Sequence, residues 1–235
     1  MKLKIIPLSF LLIIFTVECY CQLKFSTFDL NAGLTYGKPA SKSNNGIFAN
    51  SSIDENFSAK IGLSINGNVY AKIAPRLDIG TGINFTKIIY THNVENLIFG
   101  SDIINGTVSS VKNKITIDNI GVPLLVKYDF SASKKLLQGI TGITLYRTFW
   151  NSKEHEATGS AANEPGLLMA DALSNKFNLS AQFGLRLLLR ITENNHFTIG
   201  ASVEYYLLSD GYYFQSGTSN IFNTGLSMGY NHVIK

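Results

Sequence analysis

Charge is scarce in this chain. Asp, Glu, Lys and Arg make up 15% of 235 residues, where about a quarter is usual for globular domains. Cysteine is scarcer still, and its two copies, Cys19 and Cys21, lie close to the N-terminus. They close a stretch in which Lys2 and Lys4 precede an apolar core from Ile5 to Val17, broken only by Pro7 and Ser9, with Gln22 following. That charged, apolar and small-residue order is the layout of a secretory signal peptide. The apolar core falls short of the roughly 20 residues that a retained membrane anchor needs. A lipidated cysteine wants a small residue before it, and Glu18 and Tyr20 stand there instead. Residues 1–21 are therefore expected to be a signal peptide, and 22–235 a single domain without disulfide or thiol chemistry. A net charge of +4 with no basic run argues against nucleic acid as a partner. No later apolar run reaches the roughly 18 residues of a transmembrane helix. An exported chain that is 45% hydrophobic, poor in charge and without a helical span points to a membrane barrel, since helices and closed barrels alone satisfy every backbone polar group in lipid.

What the chain does have is alternation. Thr27 to Tyr36 sets Phe28, Leu30, Ala32, Leu34 and Tyr36 against Asp29, Asn31, Gly33 and Thr35, the period of two that marks a strand. Ala59 to Ile73 sends Ile61, Leu63, Ile65, Val69, Ala71 and Ile73 one way and Lys60, Ser64, Asn66, Asn68, Tyr70 and Lys72 the other. After a tight turn at Ala74-Pro75-Arg76, a third strand runs from Leu77 to about Thr91, with Asp78, Gly80, Gly82 and Asn84 on its polar face. Residues 92–113 read as a long loop. The fourth strand, Ile115 to Phe130, is the most distinctive. Ile115 and Ile117 begin it, and after a change of frame Ile120, Val122, Leu124, Val126, Tyr128 and Phe130 share a face opposite Gly121, Pro123, Leu125, Lys127 and Asp129. Pro123 has no N–H to give a ladder and is expected to cost a bond or mark a bulge.

A fifth strand over 136–150 has two possible facings: one exposes Ile140, Tyr146 and Trp150, the other Ile143, Leu145 and Phe149 together with Arg147. Residues 151–175 are a long segment with a possible helical turn at Leu167 to Ala172. Phe177 to Ile191 alternates most cleanly, with Asn178, Ser180, Gln182, Gly184, Arg186 and Arg190 on its polar side. The seventh strand runs from Phe197 to Leu207, and the last carries Phe222, Leu226, Met228 and Tyr230. Short connections near 75, 133 and 194 alternate with long ones near 46, 102, 162 and 214. This predicts an all-β, eight-stranded antiparallel transmembrane barrel, an up-and-down meander with short periplasmic turns and long extracellular loops. Tyr36, Tyr90, Trp150, Tyr212 and Tyr213 at the long-loop ends are expected to form an interfacial girdle.

The motif ITIDNIGVPLLVKYDF at 115–130 resembles the "(L)EIPLLLKYxF" strand of small outer-membrane barrels of Bacteroidetes-type bacteria, the PorT-like or outer membrane protein beta-barrel domain family. The resemblance covers the chain from about residue 25, although only this strand is specific as a motif. It implies a porin-like barrel in the outer membrane of a Gram-negative bacterium, with outer-membrane lipid, the barrel-assembly machinery and an unknown loop partner as its partners. A role in an envelope or secretion complex is also implied. Such barrels commonly end in an aromatic residue; this chain ends His232-Val233-Ile234-Lys235.

Candidate chemistry is thin, and no cofactor is expected. Gly225-Leu226-Ser227-Met228-Gly229 spells the nucleophile elbow G-x-S-x-G, but the elbow needs a strand-to-helix turn and this string lies inside an alternating strand. His92, His155, His196 and His232 have no metal-ligand spacing, and Lys153-Glu154-His155-Glu156 is not H-E-x-x-H. His92 and His155 lie near long loops, where a lipid A-modifying rim enzyme would keep its base, yet neither has an evident partner. The inner charges say more. Lys72 is expected opposite Asp78, and Arg186 diagonal to Glu204. A barrel of eight strands encloses room only for side chains, so a plugged lumen with paired charges is expected, not a water-filled pore. The alternative architecture is a soluble exported barrel holding an apolar small molecule, with its apolar faces turned inward.

Overall fold

A computed structural model describes residues 24–39, 54–97, 109–130, 137–158, 177–207 and 221–234. The eight strands are β1 (Phe25–Pro39), β2 (Asp54–Ala74), β3 (Leu77–Leu97), β4 (Ser109–Asp129), β5 (Leu137–Thr158), β6 (Phe177–Arg190), β7 (Asn195–Tyr206) and β8 (Ile221–Val233). Each pairs antiparallel with the next, and β1 closes on β8 from Thr27↔Val233 to Pro39↔Ile221. Closure leaves the paired span without an edge strand.

The facing follows the alternation. Leu30, Leu34, Ile83, Val122, Leu124, Phe183, Leu185, Leu187, Leu226 and Met228 are exposed outward, whereas Asp29, Asn31, Asn84, Ser180, Arg186 and Asn223 are buried inside. An apolar exterior around a polar interior is the reverse of a soluble ligand-binding barrel and requires lipid as its solvent. The soluble alternative is thereby excluded. On β5 the open question resolves: Ile143, Leu145 and Phe149 face out and Tyr146 is buried. Arg147 shares the outward face, and its guanidinium carbon lies 6.0 Å from the centre of the Phe177 ring.

Four strands are taller than expected. β2 to β5 run 21 or 22 residues, while β6, β7 and β8 run 14, 12 and 13. Residues 92–97, 109–113 and 151–158, expected in loops, are strand. On this tall wall the faces trade solvents. Lys112, Lys114, Glu154 and Glu156 are exposed outside, while Ile88, Tyr90, Val111 and Ile117 are buried inside. β4 therefore keeps a single phase, with odd positions inward from Val111 to Asp129. The expected change of frame near Asp118 is a change of surroundings. The irregularity lies on β5, where Asp118↔Trp150 is followed by Asn119↔Thr148 and Phe149 is the extra residue. Pro123 makes no bulge against β3, since Thr81↔Leu124 and Asn84↔Gly121 keep one register, and Thr81 Oγ1 donates to the Pro123 carbonyl at 2.8 Å.

Outward aromatics gather at both ends of the short span. Tyr36, Phe149, Phe177 and Phe222 lie towards the long connections, and Phe25, Tyr128, Phe130, Phe197 and Tyr230 towards the short turns, as interfacial girdles do. Tyr90 is not among them, because its phase points it into the interior. Tyr212, Tyr213, the possible turn at 167–172 and the leader lie outside the described residues, as does the side chain of Trp150.

Candidate functional site

Among the described residues the buried polar side chains gather in the lumen, and they are arranged in layers. Nearest the short turns, Lys127 Nζ meets Asp78 Oδ2 at 2.9 Å, donates to Thr27 Oγ1 at 2.6 Å and sits 4.1 Å above the centre of the Tyr70 ring. Arg186 Nη1 donates to Asp29 Oδ2 at 2.5 Å and its Nε to Gln138 Oε1 at 2.6 Å. Gln138 Nε2 in turn donates to Asp129 Oδ1 at 2.5 Å, and Asn231 Nδ2 to Asp29 Oδ1. These bonds tie β1 to β4 and to β6, neither of which is its neighbour in the sheet. Alternation supplies the inward direction, and small opposing residues make room. A side-chain carbon at Gly80 would overlap the Tyr70 ring, and one at Gly121 the Tyr146 ring.

Above this layer Thr198 Oγ1 donates to Asn31 Oδ1 at 2.8 Å, and Asn31 Nδ2 to Asn66 Oδ1 at 3.1 Å. A cavity of about 90 Å³ lined by Asn68, Asn84, Gln182 and Arg186 adjoins one of about 50 Å³ beside Glu204. Glu204 accepts from Ser180 Oγ at 2.6 Å and from Tyr206 OH at 3.3 Å. Higher still, Ile88, Tyr90, Ile117, Tyr146, Tyr206 and Ile221 form a buried cluster against which Phe57 and Ile115 pack. The Tyr146 and Tyr206 rings stack at 5.5 Å.

The charges expected to pair do so differently. Lys72 faces Asp78 in the β2–β3 ladder, but its side chain is exposed at the short-turn mouth, where water solvates the ammonium. Asp78 also faces Lys127 across β4, and it is this fully buried cation that takes the carboxylate. Arg186 lies opposite Gly200 and Glu204 opposite Gln182, too far apart along the ladder to meet, so Arg186 reaches across the lumen to Asp29. Lys60, expected inside, is exposed, beside a register shift between Lys60 and Leu63. Asp29 and Lys127 were each on the inner side of their strands by alternation. Their height above the short turns was the signal that they belong to one layer.

Among the described residues the histidines offer no shared site. His92 is buried and stacked on Phe57 at 4.5 Å, and His92 and His155 flank Asn113 in the ladder from opposite sides. Among the described residues no cluster of His, Cys, Asp and Glu could hold a metal. Ser227 sits within β8 and lines the larger cavity. On the outer wall Lys112 Nζ donates to Glu156 Oε2 at 2.9 Å and Lys114 Nζ to Glu154 Oε1 at 3.0 Å. The hydrogen bond from Lys112, reinforced by its charge, holds the Glu156 carboxyl below its ordinary value.

No curated protein matches the chain. Among solved structures, that of Neisserial surface protein A is similar at 12% identity, over 88% of this chain and 96% of that one, with a TM-score of 0.42. OprG from Pseudomonas aeruginosa is similar at 12% identity over 90% and 97%, with a TM-score of 0.41. Outer membrane protein W of E. coli is similar at 10% identity over 91% and 100%, with a TM-score of 0.37. The family model described as "Outer membrane protein beta-barrel domain" matches residues 22–207. With its lipid-facing exterior and closed meander of strands, the chain is an outer-membrane protein and belongs to the outer membrane protein beta-barrel domain family.

Proposed function

We propose that this barrel is neither an enzyme nor an open channel, but a scaffold with a lumen plugged by its own side chains, working through what it presents above the membrane. The observation that carries this reading is the pair of layers across the lumen, ionic near the short turns and apolar near the long connections. Each layer excludes a continuous file of water for a different reason: the first by hydrogen bonds that cross the barrel, the second by packing. The tall wall of β2 to β5 gives this scaffold a charged outer surface on which a partner can dock, and functional loops are commonly placed on such supports. The likeness of residues 115–130 to the PorT-like motif supports a narrower form, a place in an envelope or secretion complex. In this reading residues 1–21 are cleaved on export and the barrel-assembly machinery inserts the chain.

Two experiments test it. Purified protein in planar bilayers should show no stable conductance above the bare membrane; a large, steady single-channel current would refute the closed lumen. Crosslinking from cysteines introduced at Lys112 and Glu154, which are exposed on the tall wall, should capture a discrete envelope protein in whole cells. Capture from a control cysteine at lipid-facing Leu185 but not from either wall position would count against docking at the wall.

A further inference from the structure

We infer that the upper lumen holds one small monovalent cation, of the sodium or potassium class, in the cavity beside Glu204. The argument begins with charge. Within the lumen Asp29 is matched by Arg186 and Asp78 by Lys127. Among the described residues Glu204 has no such match: it accepts from the hydroxyls of Ser180 and Tyr206. These suit a carboxylate, which only accepts hydrogen bonds, and a carboxylate buried without a counter-charge is costly.

The second observation is independent of the first. Among the described residues Asn84 Oδ1 is a buried acceptor without a hydrogen-bond partner, on a residue 7% exposed. Asn84 lines the same cavity of about 50 Å³ as Glu204. Thr86 and Ser202 also line it. Oxygen-only donors are the set that hard cations take, and a lone carboxylate suits a single positive charge better than a double one. The space holds an alkali ion with about one water, since a water's share of liquid volume is roughly 30 Å³. An orphaned amide oxygen and an uncompensated carboxylate on one cavity are thereby explained together.

The inference rests on the closed lumen proposed above for its enclosure, and a conductance measurement distinguishes a failed enclosure from a failed site. The test folds the full protein from urea into detergent micelles in sodium, potassium or choline chloride at equal ionic strength. The midpoint of heat-induced loss of the folded band is then read on a gel. The midpoint should rise by several degrees in at least one alkali salt over choline, because a ligand that binds only the folded state stabilises it. Glu204→Gln should remove that rise while keeping a heat-dependent shift. Crystals of the wild-type protein grown with thallium(I) acetate should give an anomalous peak within reach of Glu204 and Asn84. If Glu204→Gln does not fold, the thallium peak decides alone. A cavity without anomalous density overturns the inference, and so does a variant that keeps the full alkali dependence.

Discussion

Arg186 is tolerable inside a membrane-embedded barrel because Asp29 lies 2.5 Å from its guanidinium and Gln138 takes another of its N–H groups. Removing one member strands the other. Arg186→Met should cost about 3–5 kcal/mol, the range for breaking a buried pair. Adding Asp29→Asn should restore much of that loss, since two neutral groups of similar size leave no bare charge. Urea-unfolding midpoints in detergent check both, and a double variant as weak as the single one would mean that the loss is one of packing. Glycine gives a second contrast. Gly121 faces the Tyr146 ring so closely that Gly121→Val should cost about 1–3 kcal/mol through overpacking. A side-chain carbon at Gly67 would meet only Leu30 Cδ1, at 3.9 Å, so Gly67→Ala should leave the same midpoint unchanged or slightly raised.

At the scale of strands, the decisive feature is a phase that holds while the solvent changes. Leu124 and Ile117 lie on opposite faces of β4, and both are apolar because lipid lies outside the lower half and a packed core inside the upper half. Leu124→Arg should destabilise by about 2–4 kcal/mol if it sits near the bilayer midplane. Lys114→Leu, on the same face but above the membrane, should be nearly silent. Equal costs for the two would mean that the wall does not rise above the lipid. Acidification probes the same wall. Because Lys112 lowers the Glu156 value, their pair should persist at neutral pH and be lost only as pH falls through that lowered value. NMR signals of Lys112 should report the loss, with little effect on the melting of the barrel, because the pair is exposed. The inversion also explains what the sequence could and could not reveal. Eight alternating runs were legible because lipid outside and polar groups inside give period two its sharpest form. The upper parts of β3, β4 and β5 were not, because there the apolar residues move to the inner face and the outer face turns charged, which reads as loop. Tyr90 went to the wrong surface for the same reason. The facing of β5 was ambiguous because Arg147 lies outside, against Phe177, while the bulky Tyr146 fills the lumen. Ion-pair partners across the lumen were the least legible, since alternation fixes which way a side chain points but only closure and stagger decide whom it meets.

For the whole molecule, the closed lumen proposed above has its two layers acting in series. A file of water must pass both the Asp29–Arg186 and Asp78–Lys127 layer and the cluster around Ile88, Ile117 and Tyr206 to connect the two sides. Their chemistry differs, so no single substitution should breach both. Thinning the upper cluster with Ile117→Ala and Ile221→Ala should leave bilayers silent, because the ionic layer still spans the lumen. Neutralising the lower layer with Asp29→Asn and Arg186→Met should be equally silent, because the apolar cluster stays dry. Combining the four substitutions should give brief, small conductance events at high applied voltage. Truncating each isoleucine costs about 2–5 kcal/mol in such a core, so the combined protein must first be shown to keep its heat-dependent gel shift. Conductance from either pair alone would mean that one layer carries the whole seal, and silence from the folded combination would place a third barrier among the Asn31 and Asn66 side chains that lie between them.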